Sequence, residues 1–252
     1  MSAFAGTAAA AQSRAQTTDA TELSAEQVEA LCNKAYASEA ILLANIQSET
    51  ANAEGNPWKL ELERKELGLH VYSSATTGSP LRRFKAVCLL ADITPAQLIE
   101  FIGDRAHRLT WDRNIFDLQM TRLRNDERGE AAILRSCTKK VGPIDGRDFL
   151  DATIVRTLAD GSVINCGSGL EPEETCGLYP ITKDFVRGFN LSGTGWHIQS
   201  EASNNGVKVS YIIQTDLKGW FTAFIINQAI AGSYVSFFDD LQRALKDRKT
   251  KS

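Results

Sequence analysis

Between residues 58 and 216 the chain is built from short alternations of apolar and polar residues, broken by turn residues, and a single long helical pattern then closes it. In the run Trp58-Lys-Leu-Glu-Leu-Glu-Arg, Leu60 and Leu62 alternate with Lys59, Glu61 and Glu63, which is the signature of an antiparallel strand with one wet face. The same reading predicts strands over 69–73, 84–90, 115–123, 131–138, 149–158, 162–168, 185–191, 195–201 and 208–216. Turns such as Asp160-Gly161 and Asn204-Asn205-Gly206 separate them. Helices are expected over 21–54, 94–102 and 222–247. Ser24 caps the first, with Gln27 completing a capping box. Thr94 caps the second, and Pro95 takes its first helical position. Thr222 caps the third, and Lys246, Arg248 and Lys249 complement the dipole at its end. A meander framed by helices, with no βαβ alternation, specifies an α+β fold. One domain over 21–252 follows an N-terminal tail over 1–20. That tail is rich in Ala, Thr, Ser and Gln, with Arg14 as its only base, and lacks the apolar core of a secretory signal. It reads as a disordered tail or, alternatively, as a mitochondrial transit peptide.

Composition excludes several function classes. Lys and Arg number 28 against 31 Asp and Glu, a net charge of −3, so there is no basic field for nucleic acid. Apolar runs such as 87–91 and 224–226 are far shorter than the ~20 residues of a membrane span. The five cysteines, Cys32, Cys88, Cys137, Cys166 and Cys176, are scattered without C-x-x-C spacing. That pattern suits a reducing cytosol rather than a disulfide scaffold or a zinc site. Three histidines, His70, His107 and His197, leave little room for a metal cluster. Cys166-Gly-Ser-Gly-Leu lacks the spacing of a nucleophile elbow, and Gly193-Thr-Gly195 runs into a strand rather than a helix, so it reads as a turn. No catalytic residue, metal or cofactor is expected.

The last helix is unusual in being apolar on two faces. Ala223, Ile226, Asn227, Ile230, Tyr234, Phe237 and Leu241 form one stripe; Phe224, Ala231, Val235, Phe238 and Leu245 form a second. Such a helix is either a core element buried on both sides or a lid whose inner stripe touches an apolar ligand. Gly232, in its interior, is where such a lid could loosen.

Several strings point to a family. Leu109-Thr-Trp-Asp-Arg-Asn-Ile115, Gly146-Arg-Asp-Phe149, Asp184-Phe-Val-Arg-Gly-Phe-Asn190, Gln214-Thr-Asp-Leu-Lys-Gly-Trp220 and Ile225-Ile-Asn-Gln228 together resemble the START (steroidogenic-acute-regulatory-related lipid transfer) domain, and most of all its small soluble sterol-carrying members. The resemblance runs from the first helix to the C-terminus. It implies a helix-grip fold, in which a curved antiparallel sheet wraps around the C-terminal helix and encloses a tunnel for one lipid. Enclosure answers a physical need, because several hundred Å² of apolar sterol surface at ~25 cal/mol per Å² makes unaided passage through water slow.

On this resemblance Trp111, Asn227, Ile230, Tyr234, Phe237 and Leu241 line the tunnel. Thr153 and Ser136 stand where some sterol-binding members carry a buried arginine and acid. The two hydroxyls either hold a lipid hydroxyl or bond neighbouring backbone. Arg147, Asp151 and Thr153 share one strand face by period-two counting, so that Arg147 and Asp151, if inward, are expected to pair, as a structural bridge or in contact with ligand. The segment Val141-Gly142-Pro143-Ile144 corresponds to the family's gate, with Val141 and Ile144 able to touch a membrane. The expected function is a monomeric, cytosolic, non-enzymatic carrier of a sterol that contacts membranes transiently and binds no nucleic acid. Alternatives are a phospholipid, ceramide, bile acid or carotenoid cargo, with Arg147 and Arg135 as candidates for a phosphate, or a cyclase or aromatase of the polyketide type.

Overall fold

The computed structural model describes residues 17–19, 22–140, 142, 144–175, 177–219 and 222–251. Helix α1 spans Ala25–Ile46 and opens on the expected capping box, with Ser24 Oγ accepting from Gln27 N–H and Gln27 Oε1 accepting from Ser24 N–H. It stops eight residues before the expected end. Ser48 Oγ accepts from the N–H groups of Thr50 and Ala51, and Asn52 Oδ1 accepts from those of Glu54 and Asn56. These side chains offer the backbone an alternative to the helix ladder, which is why the chain turns here.

Strands β2 (Lys59–Arg64), β3 (Leu69–Thr76) and β4 (Ser79–Leu90) follow. Helix α2 (Pro95–Gly103) carries the Thr94–Gln97 capping box with Pro95 in its first turn. A further helix, α3 (Arg105–Trp111), was not anticipated; Asp104 Oδ1 caps it by accepting from His107 N–H at 3.0 Å. Then come β5 (Ile115–Asp126), β6 (Gly129–Thr138), β7 (Arg147–Thr157) and β8 (Val163–Gly169).

Two expected strands are each broken. The segment 185–191 becomes β9 (Val186–Arg187) and β10 (Phe189–Asn190), divided at Gly188. A Cβ at Gly188 would lie 2.4 Å from the Phe149 ring, so only glycine lets the chain pass there. After β11 (Thr194–Glu201), the segment 208–216 becomes β12 (Gly206–Ile213) and β13 (Thr215–Asp216). The break falls at Gln214, whose N–H turns to Thr194 Oγ1 at 3.2 Å instead of the ladder. Helix α4 (Ala223–Lys251) completes the chain, with Thr222 Oγ1 accepting from Ile225 N–H.

The main sheet runs β5-β6-β7-β8-β11-β12-β4-β3-β2, antiparallel throughout. Strand β9 adds to β7 in parallel, while β10 and β13 pair apart. Of the expected tail, only Thr17–Asp19 (β1) is described; its backbone runs parallel to Met120–Arg122. The result is an α+β helix-grip fold with two apolar clusters. One joins α1 to the backs of β6, β7 and β8 through Leu31, Leu42, Leu150 and Ile154. The other joins α4 and α2 to β3, β4, β11 and β12. Period-two geometry splits β7 between the two sides: Leu150, Ala152 and Ile154 face α1, and the odd-numbered residues face the α4 side.

Candidate functional site

Between α4 and the concave side of the sheet lies a cavity of about 270 Å³. Its roof is one stripe of α4, formed by Ala229, Ile230, Ser233, Tyr234 and Phe237. The other stripe seals the rim. On it Phe238 is fully buried, and Ala231, Val235 and Leu245 pack, partly buried, against the apolar cluster that α4 shares with the sheet. Phe224 departs from this pattern and is 69% exposed. Hydrogen bonds to the sheet side and to the segment after α3 anchor the roof. The Tyr234 hydroxyl donates to the Tyr211 carbonyl at 3.0 Å. Arg113, from the Trp-Asp-Arg-Asn string, donates from Nε to both oxygens of the buried Asp240 and from Nη2 to Asp239 at 2.7 Å. One end of the hollow is closed by aromatics: Trp196 stacks on Tyr211 with centroids 3.9 Å apart, and Phe237 meets both. The volume is slightly below the ~300–1,000 Å³ of small-molecule sites, so a larger guest needs the roof or an adjoining segment to shift.

Of the expected residues, Ser136, Thr153, Arg147, Asp151, Ile144, Ile230, Tyr234 and Phe237 all line this cavity. Trp111, Asn227 and Leu241 do not. Trp111 stacks on Phe101 outside the aromatic end, and Leu241 lies one turn beyond Phe237 within the α4–β3–β4 packing. Asn227 is half-buried, off the cavity wall. In the gate, Val141 and Pro143 lie outside the described residues. Gly142 is exposed, whereas Ile144 is 4% exposed and forms part of the wall, so it is not available to a membrane. Arg135, weighed as a phosphate ligand, is on the opposite face of β6, where it donates to Asp148 at 2.7 Å. His197 also faces away from the cavity, is buried, and bonds Ser162 Oγ at 3.1 Å.

The expected Arg147–Asp151 bridge is not formed. Arg147 donates instead to backbone carbonyls of Leu217, Asp145 and Lys218, tying the segment before β7 to the segment before α4. Three carbonyls can satisfy a buried guanidinium without a carboxylate. Asp151, 6% exposed, accepts from Asn190 Nδ2 at 3.0 Å through Oδ2, and its Oδ1 has no partner. Burial pushes its carboxyl up to about 7, against the opposing influence of Asn190, Arg187 and Lys34. Thr153 Oγ1 donates to the Ala132 carbonyl at 3.2 Å, the backbone-bonded alternative of the two that its position allowed. Ser136 is also on the wall, but the register sets it opposite Phe149 rather than Thr153, four residues further along β7. Polar wall residues absent from the expected set include Asn165, Asn190 and Thr215, along with Asp112, Asn114 and Thr194. Asn190 and Thr215 stood inside recognised strings, but only their position on β10 and β13 brings them to the cavity.

The model for the START domain family matches residues 39–251 of this chain. The chain is 26% identical over 212 residues to human StAR-related lipid transfer protein 4, covering 83% of this chain and 97% of that protein. It is 22% identical over 203 residues to human StAR-related lipid transfer protein 6, covering 80% and 88%. The structure of human StAR-related lipid transfer protein 5 superposes with a TM-score of 0.75 at 20% identity, covering 88% of this chain and 99% of that one.

Proposed function

Because this chain belongs to the START domain family, we propose that it binds one lipid in the cavity beneath α4 and carries it between membranes. A sterol is the cargo this reading favours. The observation that carries it is the hollow itself, where a mainly apolar wall is roofed by a helix whose inner stripe contributes Ile230, Tyr234 and Phe237. Apolar surface buried there is removed from water at ~25 cal/mol per Å², which is the driving force for extracting such a molecule. Polar side chains such as Ser136, Asp151, Thr153 and Asn190 interrupt the apolar surface and can orient the guest. The relatives named as lipid transfer proteins support the same assignment. No helix among the described residues is long and apolar enough to cross a membrane. The reading takes the protein to be a monomeric cytosolic carrier that meets membranes transiently and performs no chemistry on its cargo.

The test is transfer of the fluorescent sterol dehydroergosterol from donor to acceptor vesicles. Binding is expected to saturate at one sterol per chain, and transfer to run well above the rate without protein. Ser136→Trp, which places an indole in the cavity, is expected to reduce it about tenfold or more with the circular dichroism spectrum unchanged. Absence of transfer by the wild type, or an unaltered rate in the variant, refutes the reading.

A further inference from the structure

Among the described residues, Asp151 Oδ1 is the one fully buried side-chain oxygen of the cavity wall without a hydrogen-bond partner. Asp151 lies midway along β7, opposite Leu134 on β6 and Gly169 on β8. Neither cross-strand neighbour has a polar side chain, and the space above Gly169 is taken by Phe189 and Asn190 of β10, so Oδ1 is buried at the cavity wall with no protein group to bond. Its Oδ2 is held from one side. Thr215 donates its hydroxyl to Asn190 Oδ1, and Asn190 Nδ2 donates to Asp151 Oδ2. This relay fixes the direction of every hydrogen bond in it and leaves Oδ1 as the free end, in a residue 6% exposed. Asp151, Asn190 and Thr215 all belong to the cavity wall.

We propose that Asp151 is the polar anchor of the cavity and receives, on Oδ1, the hydroxyl hydrogen of a neutral and otherwise apolar lipid. This rests on the lipid-enclosure reading above and names the chemistry of the group enclosed. A buried carboxyl oxygen without a partner is unfavourable, and a ligand donor at that point removes the deficit. Thr153 already makes one hydrogen bond, to the Ala132 carbonyl, so leaving it without a ligand strands no group, whereas Asp151 Oδ1 has no bond at all. The surrounding charges select a neutral donor. Lys34 from α1 and Arg187 from β9 act on Asp151 electrostatically, and Arg147 shares its strand face, so an ammonium group would enter an already cationic neighbourhood. A carboxylate or phosphate would be set against Asp151 itself. An alcohol satisfies the oxygen without either penalty.

The experiment uses a matched pair of ligands, cholestanol and cholestane, which differ only in the hydroxyl. Each competes with dehydroergosterol for the full-length protein. The wild type is expected to prefer cholestanol by about tenfold or more, equivalent to about 1.4 kcal/mol. Asp151→Leu is expected to bring the ratio close to one while retaining cholestane binding. Asp151→Asn, which preserves shape and an acceptor oxygen, is expected to give an intermediate ratio and guards against a misfolded leucine variant. Equal affinities in the wild type, or a full preference retained by either variant, overturn the anchor while leaving enclosure intact. Failure of the wild type to bind either sterol, or dehydroergosterol, overturns the enclosure reading and the anchor with it.

Discussion

Asp148 and Asp151 stand three residues apart on β7, and burial acts on them in the same direction with opposite outcomes. For Asp148, burial raises the pKa, but Arg135, the N–H and hydroxyl of Thr182, and Arg187 outweigh it and hold the carboxyl below its ordinary value of 3.8. Asp151 has one amide partner and stays raised. A depressed carboxylate contributes stability that is present above its unfolded pKa and lost as pH falls through the lower folded value. Asp148→Asn is therefore expected to destabilise the protein by about 3–5 kcal/mol at pH 7, since it leaves buried guanidinium groups uncompensated. The loss should shrink as the pH drops below 3.8, and urea denaturation at pH 7 and pH 3 measures both. The sequence placed Arg147, Asp151 and Thr153 on one face, because side chains alternate along a strand. Their partners were not legible: Asn190 is 39 residues from Asp151 and Leu217 is 70 from Arg147.

The element that most depends on its two faces is α4. Its spacing alone showed both apolar stripes, since i, i+4 neighbours share a face whatever the helix packs against. Which stripe seals and which lines the hollow depended on the sheet. Gly232 lies on the exposed side, with nothing within 4 Å of where a Cβ would be. Gly232→Ala is expected to raise stability by about 1 kcal/mol through helix propensity, read as a higher urea midpoint. If loosening of the helix there assists loading, dehydroergosterol should also load more slowly, as stopped-flow fluorescence would record. An unchanged midpoint would mean that the glycine is not limiting the helix. Capping was equally legible at Ser24, Thr94 and Thr222, because each cap needs only residues three apart. Helix α3 was missed although Asp104 caps it, because the seven residues that follow carry too little apolar periodicity to announce a helix.

At the scale of the whole molecule, the segments before β7 and before α4 are joined through Arg147, which bonds Asp145 on one and Leu217 and Lys218 on the other. Both segments border the cavity. Arg147→Met keeps the length of the side chain and removes the donors. It is expected to speed hydrogen exchange at amides 145–147 and 217–219, leaving the α1 cluster of Leu31, Leu42 and Ile154 protected. Uniform protection in both regions would mean that the arginine does not hold them together. The sequence by itself determined the order of the main strands and of three helices, the faces of β7 and α4, and the capped starts of those three helices. Each of these follows from spacing within a few residues, which the backbone periods of 2 and 3.6 convert directly into direction. Only the tertiary structure decided that Arg147 and Asp151 do not meet, that Ile144 turns inward, and that one carboxyl oxygen is buried at the cavity wall without a partner. Those outcomes depend on loops brought together across scores of residues, where competition among backbone carbonyls, amides and open space chooses each partner.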